Sequence, residues 1–330
     1  MRYINTILIL LLSFIINVNA QTISGQILDY QTNKPVPFAN IYFNNSYNGT
    51  TSDIDGNFKL NISQNLGEEL VVSYVGYKSQ LIKKYESGKF YQIYLMPHIF
   101  VLKEIVVIAD DTPRKKKIKM FLREFLGQTD NAKKCTIENL SDLHLVYHKS
   151  SKNLIAFSSK PLIIHNKALG YRIKYYLDEF EKNNNRINYR GYSIFEEDIT
   201  ISDKEFIKIE RRRRKAYFGS IKHFFRVLWN NELKKSKFRV YDDKNTTETT
   251  LKSNIQNESD DVKYLIYPNA LKIIYNEYKI SYLEFEDNDR IFFTKSGYFD
   301  PKGHNWQGYM STQRVGDLLP YEYRPLFVKK

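Results

Sequence analysis

Short runs in which apolar and polar residues alternate recur along the chain and predict β-strands. Between residues 21 and 109 they are Ile23/Gly25/Ile27, Ala39/Ile41/Phe43, Phe58/Leu60/Ile62, Val71/Ser73/Val75 and Tyr91/Ile93/Leu95. Five runs at such short intervals predict an antiparallel β-sandwich over residues 21–109. Asp55-Gly56, just ahead of Phe58, predicts a tight hairpin turn, because Asp-Gly supplies the positive φ angles that this turn requires.

The first twenty residues have a different pattern. Arg2 precedes an almost unbroken apolar stretch from Ile4 to Val18, and Val18-Asn19-Ala20 fits the small-residue rule for cleavage before Gln21. A membrane anchor is the alternative, but polar residues interrupt the stretch, and it is shorter than the roughly 20 apolar residues that a stable span prefers. We therefore expect residues 1–20 to be a signal peptide and the protein to be exported, either periplasmic or associated with the outer membrane.

A basic linker and an amphipathic helix are predicted over residues 110–127. Thr112 is a suitable N-cap, Pro113 suits the first helical position, and Gly127 suits the stop, which bounds a helix of about 14 residues. The apolar face comprises Ile118, Phe121, Leu122, Phe125 and Leu126, and six Lys and Arg residues occupy the start and the other face. Such a helix either docks on its own domain or lies on an anionic membrane surface.

Residues 128–330 predict a second domain that is β-rich. From Thr136 to Tyr192 the strand patterns follow one another and predict a meander. A second short helix is predicted to start after Ser220, a good N-cap, with an apolar face that includes Phe224, Phe225 and Trp229. The fold class is therefore mainly β: a sandwich followed by a β-rich α+β domain with two short helices.

Basic residues are concentrated in this second part. Residues 21–109 hold seven basic and seven acidic residues, so apart from Arg2 the whole excess of positive charge falls on residues 110–330. The densest run is Arg211, Arg212, Arg213, Arg214 and Lys215, which we take as a candidate binding surface and which could lie on an exposed strand. In an exported protein such a surface meets anionic lipid or polysaccharide rather than nucleic acid.

Candidate catalytic and metal-binding residues are few. None of the six His residues has a Glu three positions later, and the sequence lacks a GxSxG elbow, a P-loop and a GxGxxG motif. His144 and His148 alternate with apolar residues, and on a strand they would be roughly 13 Å apart, too far to bind one metal ion together. Asp53 and Asp55 resemble the start of a calcium loop whose remaining ligands are missing. We therefore predict no cofactor.

Two other groups bear on chemistry. Cys135 is the sole cysteine, so no disulfide forms within the chain, and a buried, unreactive thiol is the favoured interpretation over a reactive one. The acidic cluster Glu196, Glu197 and Asp198 is the candidate for a hydrolase acting on envelope polymers.

Four blocks in the first domain carry a family resemblance: "ISGQILDYQTNKPVPFANIYF", "GTTSDIDGNFKL", "VVSYVGYKSQ" and "LKEIVV". In this order they resemble the carboxypeptidase-regulatory-like domain, a transthyretin-like sandwich of seven strands. The resemblance implies an exported protein of gram-negative bacteria in which this domain is a structural or interaction module without peptidase activity. A looser similarity of "RKAYFGSIKHFFRVL" to exported proteins that carry the same first domain brings no activity with it.

Three classes of function follow. The favoured one is a non-enzymatic envelope module that binds an envelope protein or glycan. The alternatives are an envelope hydrolase and a basic surface that binds anionic lipid or polysaccharide.

Overall fold

The computed structural model describes residues 21–63, 65, 67–97, 112–183, 186–198, 202–244, 247–286, 290–300 and 303–326. The predicted signal peptide, the block "LKEIVV" and the start of the predicted linker lie outside these ranges. The fold is mainly β, as predicted, and contains both sheets of the sandwich and further sheets with helices after it.

Seven strands form the N-terminal sandwich: β1 (Thr22–Asp29), β2 (Asn40–Phe43), β3 (Gly49–Thr51), β4 (Asn57–Asn61), β5 (Leu70–Ser73), β6 (Gln80–Ile82) and β7 (Phe90–Leu95). One sheet has the order β4-β1-β7 and the other the order β3-β2-β5-β6. Their inward side chains share one hydrophobic core, in which Ile27, Ile41 and Phe43 are fully buried. The prediction of a purely antiparallel sandwich was wrong in one pair, because β7 runs parallel to β1.

The Asp55-Gly56 turn is tight, but it is not a hairpin. Gly56 has a φ of +76°, and its N–H donates to the Asp53 carbonyl at 3.0 Å. The Asp53 carboxylate accepts from the backbone N–H groups of Asp55 and Asn57, which holds the turn. The strands on either side, β3 and β4, belong to different sheets, so the turn carries the chain from one sheet of the sandwich to the other.

A helix and a six-stranded sheet follow. They are α1 (Arg114–Phe125), β8 (Cys135–Ile137), β9 (Leu143–His148), β10 (Asn153–Ser158), β11 (Leu162–Asn166), β12 (Tyr171–Lys182) and β13 (Ile187–Glu197). Helix α1 buries Phe121 and Phe125 against Phe180 and Tyr175 of β12, with ring centroids 4.9 and 5.0 Å apart. The predicted helix is confirmed, although its N-cap is Pro113 rather than Thr112.

The sheet is not the meander that the strand sequence suggested. Its order is β8-β11-β12-β10-β9, with β13 also paired to β12. Strand β12 pairs with β13 along its length. Two strands pair with its other edge: β11 pairs with Tyr171–Tyr175, and β10 pairs with Phe180–Lys182. Residues 176–179 of β12 therefore have no partner strand on that edge, which leaves a gap between β11 and β10.

Two consecutive helices link this sheet to the last part of the chain, α2 (Asp203–Tyr217) and α3 (Ile221–Trp229). The arginine run lies in α2, so the strand alternative was wrong. Arg and Lys are good helix formers, and Asp203 and Glu205 in the first turn favour a helix start. Ser220 caps α3 as predicted, since its hydroxyl accepts from the His223 N–H at 3.1 Å.

The remaining elements are β14 (Phe238–Asp242), β15 (Ile255–Asn257), β16 (Val262–Leu265), β17 (Leu271–Tyr275), β18 (Lys279–Phe285), β19 (Ile291–Thr294), β20 (His304–Gly308) and α4 (Tyr309–Thr312). They form a sheet of order β14-β17-β18-β20 and a sheet of order β15-β16-β19. Helix α3 packs on both, with Phe224 and Phe225 fully buried. Trp229 is only half-buried, which corrects its predicted place in the core.

The sandwich contacts the later elements through its β2–β3 loop. The Asn45 N–H donates to the Ser193 carbonyl of β13 at 2.7 Å, and the Phe195 N–H donates to the Ser46 carbonyl at 2.9 Å. The Asn45 side-chain amide donates to the Leu319 carbonyl at 3.1 Å. Among the helices in the described ranges, none is long and apolar enough to span a bilayer.

Candidate functional site

A β-bulge in β12 is the local feature on which the candidate site depends. Leu177 pairs with Gly191 of β13, and the next pair is Glu179 with Arg190, so Asp178 is an extra residue without a partner in the β13 ladder. Bulges of this kind redirect a side chain and are common next to functional sites. Gly191 is required here, because a Cβ at this position would lie 2.3 Å from the Tyr176 carbonyl oxygen.

The bulge coincides with the gap on the other edge of β12. Tyr176 to Glu179 pair with neither β11 nor β10, and the connection between those two strands crosses beside the gap at residues 159–161. The β5–β6 loop of the sandwich approaches the same place. Asp178 is therefore positioned where the sandwich meets the six-stranded sheet.

A concave site of about 160 Å³, which we call the inter-sheet cleft, opens at this junction. The β5–β6 loop of the sandwich, the β10–β11 connection and the bulged pair of strands form its walls. Its lining residues are Tyr74, Val75, Gly76, Tyr77, Lys78, Ser79, Ser158, Ser159, Lys160, Pro161, Tyr176, Leu177, Asp178 and Arg190. Both folded parts of the chain are needed to build it.

Three half-buried tyrosines supply aromatic surface to the inter-sheet cleft. Tyr74 and Tyr77 lie on the same loop with ring centroids 5.8 Å apart. The Tyr77 hydroxyl donates to the Asp29 carboxylate at 2.8 Å, which anchors the loop on β1. The Tyr176 ring stacks on the buried Tyr42 ring with centroids 5.5 Å apart. These contacts hold two of the rings before any ligand arrives.

Charged groups stand beside the rings. Burial raises the pKa of Asp178 to about 6, although Arg190 and Lys78 oppose the shift. The Arg190 Nε lies 3.9 Å from the Asp178 carboxylate, and its terminal nitrogen lies 3.6 Å from Glu179. The inter-sheet cleft thus offers a carboxyl acceptor and cationic donors within reach of aromatic surface.

The residues of the predicted basic surface lie on different faces of helix α2, and not all of them are exposed. Arg213 is buried: its Nε donates to the Leu169 carbonyl at 2.8 Å, a terminal nitrogen donates to Glu197 at 2.8 Å, and its guanidinium lies 4.0 Å from the centroid of the Tyr171 ring. Arg212 donates to the Ala168 carbonyl at 2.6 Å and to Glu205 at 2.9 Å. These two arginines fasten α2 to the chain turn ahead of β12.

The rest of the run is more open. Arg214 donates to the Leu326 carbonyl at 2.8 Å. Arg211 and Lys215 are exposed. The surface that can meet an external partner therefore narrows to these two positions, and binding there remains a prediction.

The two glutamates of the acidic cluster in the hydrolase alternative form ion pairs. Glu196 lies 2.8 Å from Arg172 and 2.6 Å from Lys174. Burial acts to raise the pKa of Glu196, but hydrogen bonds from Lys174 and Arg172 hold it below its usual value. Glu197 pairs with Arg213, and Asp198 donates its backbone N–H to the Gly170 carbonyl at 3.2 Å. Neither glutamate lines the inter-sheet cleft.

The other candidate residues are placed as follows. His144 and His148 lie on strand β9, as predicted, and His144 stacks on Phe157. Burial, with a smaller effect of Asp317, raises the pKa of the Cys135 thiol to about 12, which disfavours the reactive thiolate. Over the described part of the chain, no three His, Cys, Asp or Glu side chains are grouped closely enough to hold a metal ion.

Asp178 and Arg190 were not among the residues predicted from the sequence. A signal was present, because buried residues in β12 follow a period of two at Ile173, Tyr175 and Leu177, and the next buried residue is Phe180 rather than residue 179. A break of one residue in strand alternation marks a bulge. The partner glycine, Gly191, supports the same conclusion.

Residues 23–107 match the model of the CarboxypepD_reg-like domain, which confirms the resemblance found in the sequence. The N-terminal sandwich is a domain of this kind. Curated proteins give no match to the chain.

Two solved structures show weak similarity. One is a proposed carbohydrate binding protein from Bacteroides uniformis, with 9% identity, a TM-score of 0.20, and coverage of 87% of this chain and 95% of the other. The second is a proposed membrane-associated protein of unknown function from Bacteroides fragilis, with 12% identity, a TM-score of 0.18, and coverage of 87% and 94%. Similarity at this level assigns neither fold nor function to this chain.

Proposed function

We propose that the protein is a non-catalytic binding module of the cell envelope, and that the inter-sheet cleft takes a glycan. The observation that supports this most is the combination of tyrosine rings with Asp178 and Arg190 in one concave site. Aromatic rings present an apolar face to the C–H groups of a sugar, while carboxylates and guanidinium groups bond its hydroxyls. Ligand sites typically combine such apolar walls with a few placed polar groups.

The size of the inter-sheet cleft restricts the part of the ligand that enters it. Its volume of about 160 Å³ is below the roughly 300 Å³ at which drug-sized sites begin. A terminal sugar unit of a longer glycan suits this volume, with the remainder of the chain lying over the exposed β5–β6 loop. A flat protein partner would leave the concave part unfilled.

The location of the protein is part of the proposal. The apolar stretch ahead of Gln21 supports export, and the family of the N-terminal domain supports a regulatory or interaction role rather than peptidase activity. We place the protein in the periplasm or at the outer membrane.

A binding assay with point variants tests the proposal. Oligosaccharides released from lipopolysaccharide and from peptidoglycan serve as probes in calorimetric titrations. We expect one class to bind, Asp178→Ala and Tyr176→Ala each to weaken that binding by about tenfold or more, and the control Glu179→Ala to bind like the wild type. Glu179 is the matched control, since it is the adjacent carboxylate and does not line the inter-sheet cleft. Equal affinity of all three variants and the wild type would show that the ligand binds elsewhere.

A further inference from the structure

Helix α1 presents an open groove away from the inter-sheet cleft. Its Phe121 and Phe125 point into the protein core. Ile118 and Leu122 are half-buried, and with Pro113 and the stems of Lys115, Lys116 and Lys119 they line a shallow apolar groove on the surface. We call this surface the α1 groove.

The rim of the α1 groove is cationic. Lys115, Lys116 and Lys119 are exposed, and none of them forms an ion pair with another residue in the described ranges. Arg114 is oriented by hydrogen bonds from its guanidinium to the Leu140 and Leu143 carbonyls, at 2.8 and 2.9 Å. The acidic residue of the helix, Glu124, pairs with Arg123 at 2.6 Å and does not neutralise the three lysines.

Charge and apolar surface together point to one occupant. Helices with lysines around an apolar strip bind in the plane of a membrane interface, where the lysines meet anionic head groups and the apolar side chains meet the upper acyl chains. A soluble acidic polysaccharide would satisfy the lysines but leave Ile118 and Leu122 in water. We propose that the α1 groove docks on an anionic lipid surface.

The attraction is expected to be moderate and reversible. Each basic residue near an anionic bilayer adds a small electrostatic attraction, and salt screens this attraction. Three lysines with a small apolar strip therefore give a peripheral contact that strengthens with the content of anionic lipid. This docking is independent of glycan binding, because the α1 groove and the inter-sheet cleft share no lining residue.

Vesicle co-sedimentation tests the docking. The chain from Gln21 onward, which contains every described element, is mixed with vesicles of phosphatidylcholine alone or with one third phosphatidylglycerol. The rim variant, Lys115→Glu/Lys116→Glu/Lys119→Glu, reverses the charge of the groove rim. The control variant, Lys167→Glu/Lys252→Glu/Lys295→Glu, makes the same change of net charge at other exposed lysines. Thermal melts check that both variants fold.

We expect the wild type and the control variant to bind the phosphatidylglycerol vesicles, the rim variant to bind more than about tenfold less, and 0.5 M salt to release the protein. If both triple variants lost vesicle binding equally, net charge alone would explain the attraction, and the proposal would be overturned. Binding to soluble dextran sulfate without binding to the vesicles would overturn it as well, in favour of a polysaccharide.

Discussion

Asp178 owes its position to the shape of its neighbours rather than to its own chemistry. The bulge needs Gly191 opposite, and the absence of a ladder partner turns the carboxyl toward the inter-sheet cleft. Once there, partial removal from water favours its neutral form. A single extra residue in the strand thus places this carboxyl in the inter-sheet cleft.

The pKa of Asp178 can be measured directly. Carbon-detected NMR of the side-chain carboxyl should show titration near pH 6, well above the ordinary aspartate pKa of 3.8. Because the folded state holds this proton more tightly than the unfolded chain, the stability it contributes is present below pH 3.8 and is lost as the pH rises through about 6. Asp178→Asn should therefore gain stability relative to the wild type at pH 8, by roughly 1 kcal/mol, and not at pH 4. Titration near pH 4 would show that water solvates this carboxyl fully.

His223 behaves in the opposite sense. It is buried in the first turn of α3, its Nδ1 accepts the Gly219 N–H at 3.2 Å, and burial, followed by the nearby Arg226, lowers its pKa to about 4. The unfolded chain therefore binds a proton between pH 6.5 and 4 that the folded state does not.

Acidification should consequently destabilise the protein through His223. The stability difference between the wild type and His223→Gln should shrink by up to about 3 kcal/mol as the pH falls from 6.5 to 4, since neutral Gln does not titrate. Chemical denaturation at both pH values measures this difference, and the Asp178 contribution cancels in the comparison. A difference that stays constant with pH would show that His223 titrates normally.

The burial of an arginine within the basic run could not be predicted from the sequence. The run Arg211–Lys215 identifies a charged segment, but only the fold shows that Arg213 donates to the Leu169 carbonyl beneath the turn before β12. A buried guanidinium is acceptable because its donors are satisfied by carbonyls, by Glu197 and by the Tyr171 ring. Those partners lie far along the chain, so no local pattern could reveal them.

Among the elements, helix α3 has the clearest division between core and surface. The Phe225 ring is fully buried, with the rings of Phe293 and Phe299 at 5.2 and 5.1 Å. Trp229, one turn later, is half-buried and covered on one side by the Lys263 ammonium at 4.2 Å from its ring centroid. The helix therefore ends at the edge of its core.

Replacing each of the two aromatic residues with alanine should cause different losses of stability. Phe225→Ala should cost about 3 to 5 kcal/mol through lost burial and a residual cavity. Trp229→Ala should cost less, roughly 1 to 2 kcal/mol, because its ring is only partly removed from water. Urea denaturation of both variants gives the comparison, and an equal or larger loss for Trp229→Ala would mean that this ring anchors the core after all.

Local chemistry predicted some elements better than others. Ser220 and Gly127 mark helix boundaries through hydrogen bonding and positive φ, and both were correctly located. Helix α2 was not predicted: an exposed strand was considered for the arginine run, because apolar residues at helical spacing are few in this segment. Strand order in the six-stranded sheet was beyond prediction, since it depends on which distant edges β12 can accept.

In the whole molecule, the β2–β3 loop of the sandwich makes several of the hydrogen bonds to the later elements. Glu322, near the end of the described chain, accepts from the Ser46 hydroxyl and from the Tyr47 N–H. Together with the Asn45 bonds to Ser193 and Leu319, this fixes the sandwich against the six-stranded sheet. The family of the sandwich was evident from sequence motifs, but the inter-sheet cleft was not, because its walls come from residues about a hundred positions apart.

Hydrogen–deuterium exchange, measured with and without the oligosaccharide that binds most tightly, tests directly whether the ligand binds in the inter-sheet cleft. We predict slower exchange on ligand addition in three segments: residues 74–79, residues 158–161 and the bulged part of β12 around Asp178. The same ligand added to Asp178→Ala should leave these segments unchanged. Protection confined to another face of the molecule, or identical protection in the variant, would contradict binding in the inter-sheet cleft.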